Sequence, residues 1–441
     1  MTQVLESKDL HLRTFERVER DLPGRGLPWL SSLRRREVAR FEALGFPTQK
    51  DEEWRFTSAA PIAETSFILA DKTESVQFET LRGLALCPLG FYRLVFVNGR
   101  HRPELSLAPE LPGGAKMTTL ARALKSEPGL LEAHLGGKAA PQGGAFAALN
   151  AAFFNDGAFL YLPKGFVLDK PLHLIFVSSA PAVATMSHSR ILIVAEPNSK
   201  AAVIEEYVSL ERGVSFTNVV TEALVGENAG LEHYKLQRET DRALHVSALE
   251  VRQERDSRFV SHSVSLGGAL VRNDVHAALD GEGADCALNG LYVVRGRSHL
   301  DNQTVIEHLR PHGTSRELYK GVLDGHARAV FGGTIVVRPN AQKTDARVYN
   351  KNLLLSDDGL VNTKPEFKIY ANDVQCRHGA TIGQLSADAL FYLRSRGLDA
   401  EEARRILVHA FASEMVERVE IATLKTALAE SLNARLPETL E

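Results

Sequence analysis

Hydrophobic and polar positions follow three successive patterns along this chain, with changes near residues 145 and 380. Residues 1–145 are mixed. Residues 28–44 place Leu30, Leu33, Val38, Phe41 and Leu44 on one side of a helix. Pro28 stands at its start, and Gly45 and Pro47 lie past its end, where fixed and free backbone dihedrals respectively suit a helix terminus. Residues 91–97 (FYRLVFV) make an apolar run of strand length, and Asn98-Gly99 behind them is a hairpin signal. A second helix is expected over residues 120–124. The glycine-rich stretch 136–144 reads as a loop and a domain boundary.

From 146 to 380 the pattern is almost entirely that of strands. Residues 173–177 (HLIFV) and 191–194 (ILIV) are short apolar runs, and residues 201–208 follow a Pro-Asn-Ser-Lys turn. Turn residues recur at Glu227-Asn228, Asp241-Arg242, Asp256-Ser257, Gly267-Gly268, Gly281-Glu282-Gly283 and Gly296. Short strands separated so evenly fit a stacked solenoid or a large sandwich. No helical period interrupts them, which argues against a doubly wound α/β fold.

Residues 381–441 return to helical spacing. Ser386 can cap a helix carrying Leu390, Phe391, Leu393 and Arg394, with Gly397 at its end. Asp399 and Glu402 have the spacing of a capping box. Ile406, Leu407, Ala410, Phe411, Val416 and Val419, then Leu424, Leu428 and Leu432, form an apolar stripe that reads as core-facing.

Composition is that of an ordinary globular chain of 441 residues, 44% hydrophobic and 24% charged, which is enough for two or three domains. The net charge of −3 gives no general attraction to nucleic acid or anionic membranes. Three cysteines, Cys87, Cys286 and Cys376, are too few for a disulfide framework and fit a reducing, cytoplasmic setting. No secretory signal and no apolar run of membrane-spanning length is evident.

The stretch Asp373-Val374-Gln375-Cys376-Arg377-His378-Gly379 carries the most specific chemistry. In a strand, residues i and i+2 share a face, so the Cys376 thiol and the His378 imidazole could meet one metal ion or cluster edge. Thiolate with imidazole suits zinc, copper or iron–sulfur chemistry. Two donors do not complete a four-ligand site, so a metal site here would be labile, or another chain would supply the rest. Cys376 fits a packed core thiol equally well. Elsewhere the chain lacks a P-loop, a His-Glu-x-x-His helix, a Gly-x-Ser-x-Gly elbow, a Cys-x-x-Cys pair and a dinucleotide fingerprint. His233, His245, His262 and His276 read as strand residues with one hydrogen bond each, and Cys286 as core. Cys87, before Pro88, lies in a loop with nothing to activate it. Asp241, Asp256, Asp274 and Asp280 form no recognisable catalytic pair.

Five ordered segments carry a resemblance: 341–346 (AQKTDA), 350–356 (NKNLLLS), 363–365 (TKP), 373–383 (DVQCRHGATIG) and 390–397 (LFYLRSRG). Residues 47–57 (PTQKDEEWRFT) and 146–153 (FAALNAAF) extend it toward the N-terminus. Together they resemble the SufB/SufD family, scaffold subunits of the SUF iron–sulfur cluster assembly machinery. Gly379 stands where SufB-like sequences carry a glutamate, which resembles the SufD branch. Gln375 and Arg377 replace the lysine and serine common there.

The resemblance implies a mainly β fold: a right-handed parallel β-helix between an N-terminal α/β region and a C-terminal helical region. It implies a non-catalytic scaffold that pairs with a SufB-like chain through the end of the β-helix. It also implies a SufC-like ABC ATPase that supplies the missing P-loop, docks on the C-terminal helices and moves the scaffold chains when it binds ATP. His378, with or without Cys376, would then offer ligands to a transient iron–sulfur cluster shared with the partner. A homodimer through the same end is a further expectation. The competing readings are a purely structural adaptor and a β-helix enzyme acting on carbohydrate.

Overall fold

From Ala158–Leu162 onward the chain repeats one move: a strand, a tight turn, and a strand in the opposite sheet. The computed structural model describes residues 2–70, 76–86, 90–136, 144–180 and 183–435. Successive strands alternate between two ten-stranded sheets, and each pairs in parallel with the strand two places away. Equivalent positions in one sheet fall at Gly230, Arg258, Asp285, Thr314, Asp345 and Gln375, about 30 residues apart. The result is a β-solenoid of about seven turns. Hairpins would have made a sandwich; parallel pairing that skips a strand makes a coil.

The turns explain why the coils stay in register. Asn198, Asn228, Asp256, Gly283, His312 and Lys343 occupy equivalent corners and all have φ between 51 and 71°. That left-handed conformation favours Gly, Asn and Asp. The backbone N–H of each corner residue donates to a carbonyl of the next coil: Asn198 to Glu227, Asn228 to Arg255, Asp256 to Glu282, Gly283 to Pro311, His312 to Gln342 and Lys343 to Asp373. The turns expected at Glu227-Asn228, Asp241-Arg242, Asp256-Ser257, Gly267-Gly268, Gly281–Gly283 and Gly296 all lie between strands.

Inward positions of both sheets make one long core, from Leu94 and Phe96 through Tyr207, Phe259, Cys286, Tyr292 and Phe331 to Val348. The outer faces are covered by helices. Against one sheet lie Pro28–Leu44 and Ala145–Phe153, with Phe41, Phe146, Leu149 and Phe153 packed on Met186, Phe216, Val246 and Leu270. Ala145–Phe153 is therefore a helix at the head of the stretch read above as strand. Its alanine-rich sequence is apolar all round because it is buried all round. Against the other sheet lie Ala400–Glu417 and Ala422–Asn433, whose Val408, Ala412, Met415, Val416, Leu424, Leu428 and Leu432 pack on Tyr234, Leu236, Leu291 and Val322.

The helices expected at 28–44, 120–124 and after Ser386 and Asp399 are present as Pro28–Leu44, Leu120–Ser126, Ala387–Ser395 and Ala400–Glu417. Ser386 Oγ accepts from the Ala389 N–H, and an Asp399 carboxylate oxygen accepts from the Glu402 N–H. Strand Tyr92–Val97 pairs antiparallel with Arg100–His101 across Asn98-Gly99, as the hairpin signal required. That same strand also joins the solenoid sheet, in parallel with Leu172–Ser178. Most of the loop expected at 136–144 lies outside the described residues, as does Cys87.

Candidate functional site at the open end of the solenoid

Coiling stops at strands Leu360–Ile369 and Gln375–Gly383. Each is the last strand of its sheet and is paired on one side only. The other edge presents free backbone donors and acceptors, a template for another strand. Exposed apolar side chains gather here: Leu360, Ile369, Tyr370 and Ile382 are 41 to 59% exposed. No charged residue other than Arg377 lies on the strand Gln375–Gly383.

Cys376 and His378 lie on this last strand and face inward together. Cys376 is in register with Ala346 and His378 with Val348, both inward core residues. The alternation read from sequence therefore does bring them to one face. With no coil beyond them, Cys376 is half-buried against the core and His378 is exposed. The His378 ring stacks on Phe367 from the opposite sheet, with centroids 4.6 Å apart and planes inclined by 22°. Phe367 was not singled out from sequence, because nothing local says which residue of the neighbouring strand faces the imidazole.

Cys376 continues an inward column that runs Phe259, Cys286, Ser315, Ala346. Burial pushes its thiol pKa up, and the backbone N–H of Ala346 partly offsets this. As a ligand it would have to lose that proton on binding, which a metal ion drives. The donor set fits one half of a soft or borderline metal site. Among the described residues no cluster of three or more His, Cys, Asp or Glu could hold a metal alone.

Gly379 points to the outer side of the strand. A Cβ there would lie 3.2 Å from Cδ1 of Tyr349, tighter than ordinary contact. Gly379 is thus the residue that leaves room for Tyr349 on the preceding coil.

Other residues flagged by sequence fall elsewhere. Cys286 is fully buried and its thiol is pushed well up by burial. His233 and His245 are buried inside the solenoid. They belong to a polar network that the one-bond reading did not foresee: His233 bonds Ser261 and Glu205, and His245 bonds Glu239. Glu205 also accepts from Tyr207 and Thr221, and the Lys235 ammonium donates to Ser247 and Asn273. His276 sits between Glu250 and Glu307. Asp274 is held by Arg272, and Asp280 by Arg252 and Arg310.

Two family models together account for nearly the whole chain. The SufBD protein N-terminal region matches residues 6–174, and the SUF system FeS cluster assembly SufBD core domain matches residues 176–411. The chain belongs to the SufBD family. It is 33% identical to an iron–sulfur cluster assembly SufBD family protein of Synechocystis over 89% of this chain and 88% of that protein. It is also 33% identical to the iron–sulfur cluster assembly protein SufD of Escherichia coli, over 89% and 90% of the two chains. SufD of Bacillus subtilis is 27% identical over 92% of this chain and 94% of its own. Membership carries a role in SUF iron–sulfur cluster assembly. The SufBD core match begins within the strand Leu172–Ser178 and includes every later coil, with the Cys376/His378 end. Among the described residues no helix is long and apolar enough to cross a membrane.

Proposed function

We propose that this chain is the SufD-type scaffold subunit of a SUF complex, non-catalytic in itself and acting in the cytoplasm. Its open solenoid end pairs with the end of a SufB-like chain. There His378 and Cys376 offer two donors to a nascent iron–sulfur cluster, which is cargo and whose other ligands come from the partner. The observation that carries this reading is the coincidence of three features at one end of the solenoid: two unpaired strand edges, an exposed apolar rim, and a thiol with an imidazole facing inward where no further coil covers them. Pairing would bury the site, and a buried thiolate site is shielded from oxidation. The same edge supports a homodimer of the isolated chain. A SufC-like ABC ATPase, docked against the C-terminal helices, would supply the nucleotide chemistry. On Ala387–Ser395, Phe391 and Tyr392 are 74% and 57% exposed, and Ile406 on the next helix is 40% exposed, so these residues are the apolar surface the C-terminal helices leave for docking, while Val408, Ala412, Met415, Val416, Leu424, Leu428 and Leu432 of the stripe are turned onto the sheet.

The test is anaerobic co-purification of the tagged chain with iron and acid-labile sulfide assays, on wild type and His378→Ala. The expected result is a SufB-like chain and an ABC ATPase in both preparations, with cluster lost in the variant. Unchanged cluster in an intact complex would reduce the chain to a structural adaptor. Purification with no partner would overturn the scaffold reading.

A further inference from the structure

Away from the open end, the turns that carry the chain from one sheet to the other stack along one corner of the solenoid. Three of them, around residues 238–243, 266–269 and 293–299, wall a cleft of about 740 Å³, and Arg435 beyond the last helix closes one side. Five arginines line it: Arg212, Arg238, Arg295, Arg297 and Arg435. Only two carboxylates do, Glu239 and Asp241, and Glu239 is already committed to Thr217, Gln237 and His245.

Positive charge is therefore in excess here in a chain whose net charge is −3. Arg238 is held by Glu206 and the Leu84 carbonyl, and Arg435 by the Leu266 carbonyl. These bonds fix the two guanidinium groups in place beside each other. Burial, then the neighbouring Arg238 and Arg295 charges, push the Arg435 guanidinium down, so like charges stand close together here. Two polar atoms in the lining, Arg238 Nε and Thr240 Oγ1, are buried with no hydrogen-bond partner.

The walls also favour an anion. Gly267, Gly268 and Gly296 bring bare backbone close to the space, and Gly268 and Gly296 have φ of 91 and 61°. Leu266, Ala269, Val293 and Leu300 supply apolar lining between the charged groups. A volume of this size exceeds what a single inorganic anion fills and lies in the usual range for small-molecule sites.

We propose that this cleft binds an organic polyphosphate, with its phosphate groups among Arg212, Arg295, Arg297 and Arg435 and its organic part against the apolar lining. Guanidinium groups recognise phosphate by paired, charge-assisted hydrogen bonds, which is why arginine rather than lysine lines such sites. The site is formed by coils well before the one that carries Cys376 and His378, so it is separate from the cluster site.

Isothermal titration of the full chain with ADP and with inorganic pyrophosphate tests this. Arg295 and Arg297 are exposed, so Arg295→Gln/Arg297→Gln keeps the fold, checked by its melting temperature. Both probes are expected to bind saturably, ADP the tighter, and binding is expected to weaken with added salt. The double variant should bind each about tenfold or more weakly. No saturable binding of either probe at millimolar concentration, or equal binding by the variant, would overturn the site. Pyrophosphate binding as tightly as ADP would overturn the organic part of the assignment.

Discussion

Glu317 occupies the same inward column as Val348 and His378, one coil and two coils on. It is buried, and the Thr304 hydroxyl is all that offers its carboxylate a hydrogen bond, at poor geometry. Burial pushes its carboxyl up to about 8, with Thr304 pulling weakly the other way. The unfolded chain releases that proton near the ordinary glutamate value, so between about pH 4.5 and pH 8 the folded chain binds one proton more. Stability contributed by this group is therefore fully present at low pH and is lost as pH rises through that window. Glu317→Gln should remove the slope: in melts at several pH values, the wild-type melting temperature should fall relative to the variant as pH rises. A constant difference would mean the carboxyl is already ionised. Residue-scale features of this kind were the least legible in the sequence. The i, i+2 rule placed Cys376 and His378 on one face because strand geometry fixes it. No such rule says that the inward face of the middle coils is polar, since Lys235, His233 and Glu205 alternate with apolar residues as an outward face would.

Elements were read more easily, because their ends carry local chemistry. Ser386, Asp399, Pro28 and the left-handed corner residues act within one turn of themselves. Partner-dependent features were hidden: Ala145–Phe153 is a helix because two layers bury it, and its sequence has too little polar contrast to show a period. The cap at Asp399 gives a sharp test. Its carboxylate satisfies the Glu402 N–H at 2.8 Å and lies at the positive end of Ala400–Glu417. Asp399→Ala should cost about 1 kcal/mol, felt first in that helix. Hydrogen exchange should quicken over residues 400–417 and the helix packed beside it while the sheet amides stay protected. Unchanged exchange there would mean that Val408, Ala412 and Met415 alone hold the helix on the sheet. At the solenoid end, Ile382→Lys puts a charge on the exposed edge, where the isoleucine is 47% exposed and the longer lysine can reach solvent. The melting temperature should stay the same, while co-purification of a second SufBD-type chain should drop. Undiminished pairing would place the interface elsewhere.

At the scale of the whole molecule, each coil touches only its neighbours, so the solenoid alone gives no long-range cohesion. The segment 51–57, whose sequence stood out only by resemblance, supplies some of it. Trp54 lies 5.3 Å from Phe146 and under the Arg272 guanidinium, which is 4.0 Å from its ring. Arg272 donates to the Glu53 carbonyl at 2.7 Å and pairs with Asp301 on the next coil. Thr57 donates to Asp301 at 2.6 Å, and Glu52 meets Lys364 two coils further on. A short N-terminal segment thus spans coils that are more than 200 residues away in sequence, and this clasp could not be seen before the coils were stacked. Removing its centre should loosen the N-terminal layer without unwinding the far coils. In Trp54→Ala, hydrogen exchange is expected to rise over residues 51–57, over Ala145–Phe153 and over the strand holding Arg272, and to stay unchanged in Gln375–Gly383 and the helices after it. Co-purification of partners through the open end should then persist. A uniform loss of protection along every coil would instead show that the solenoid unfolds as one cooperative unit, with segment 51–57 as part of its core.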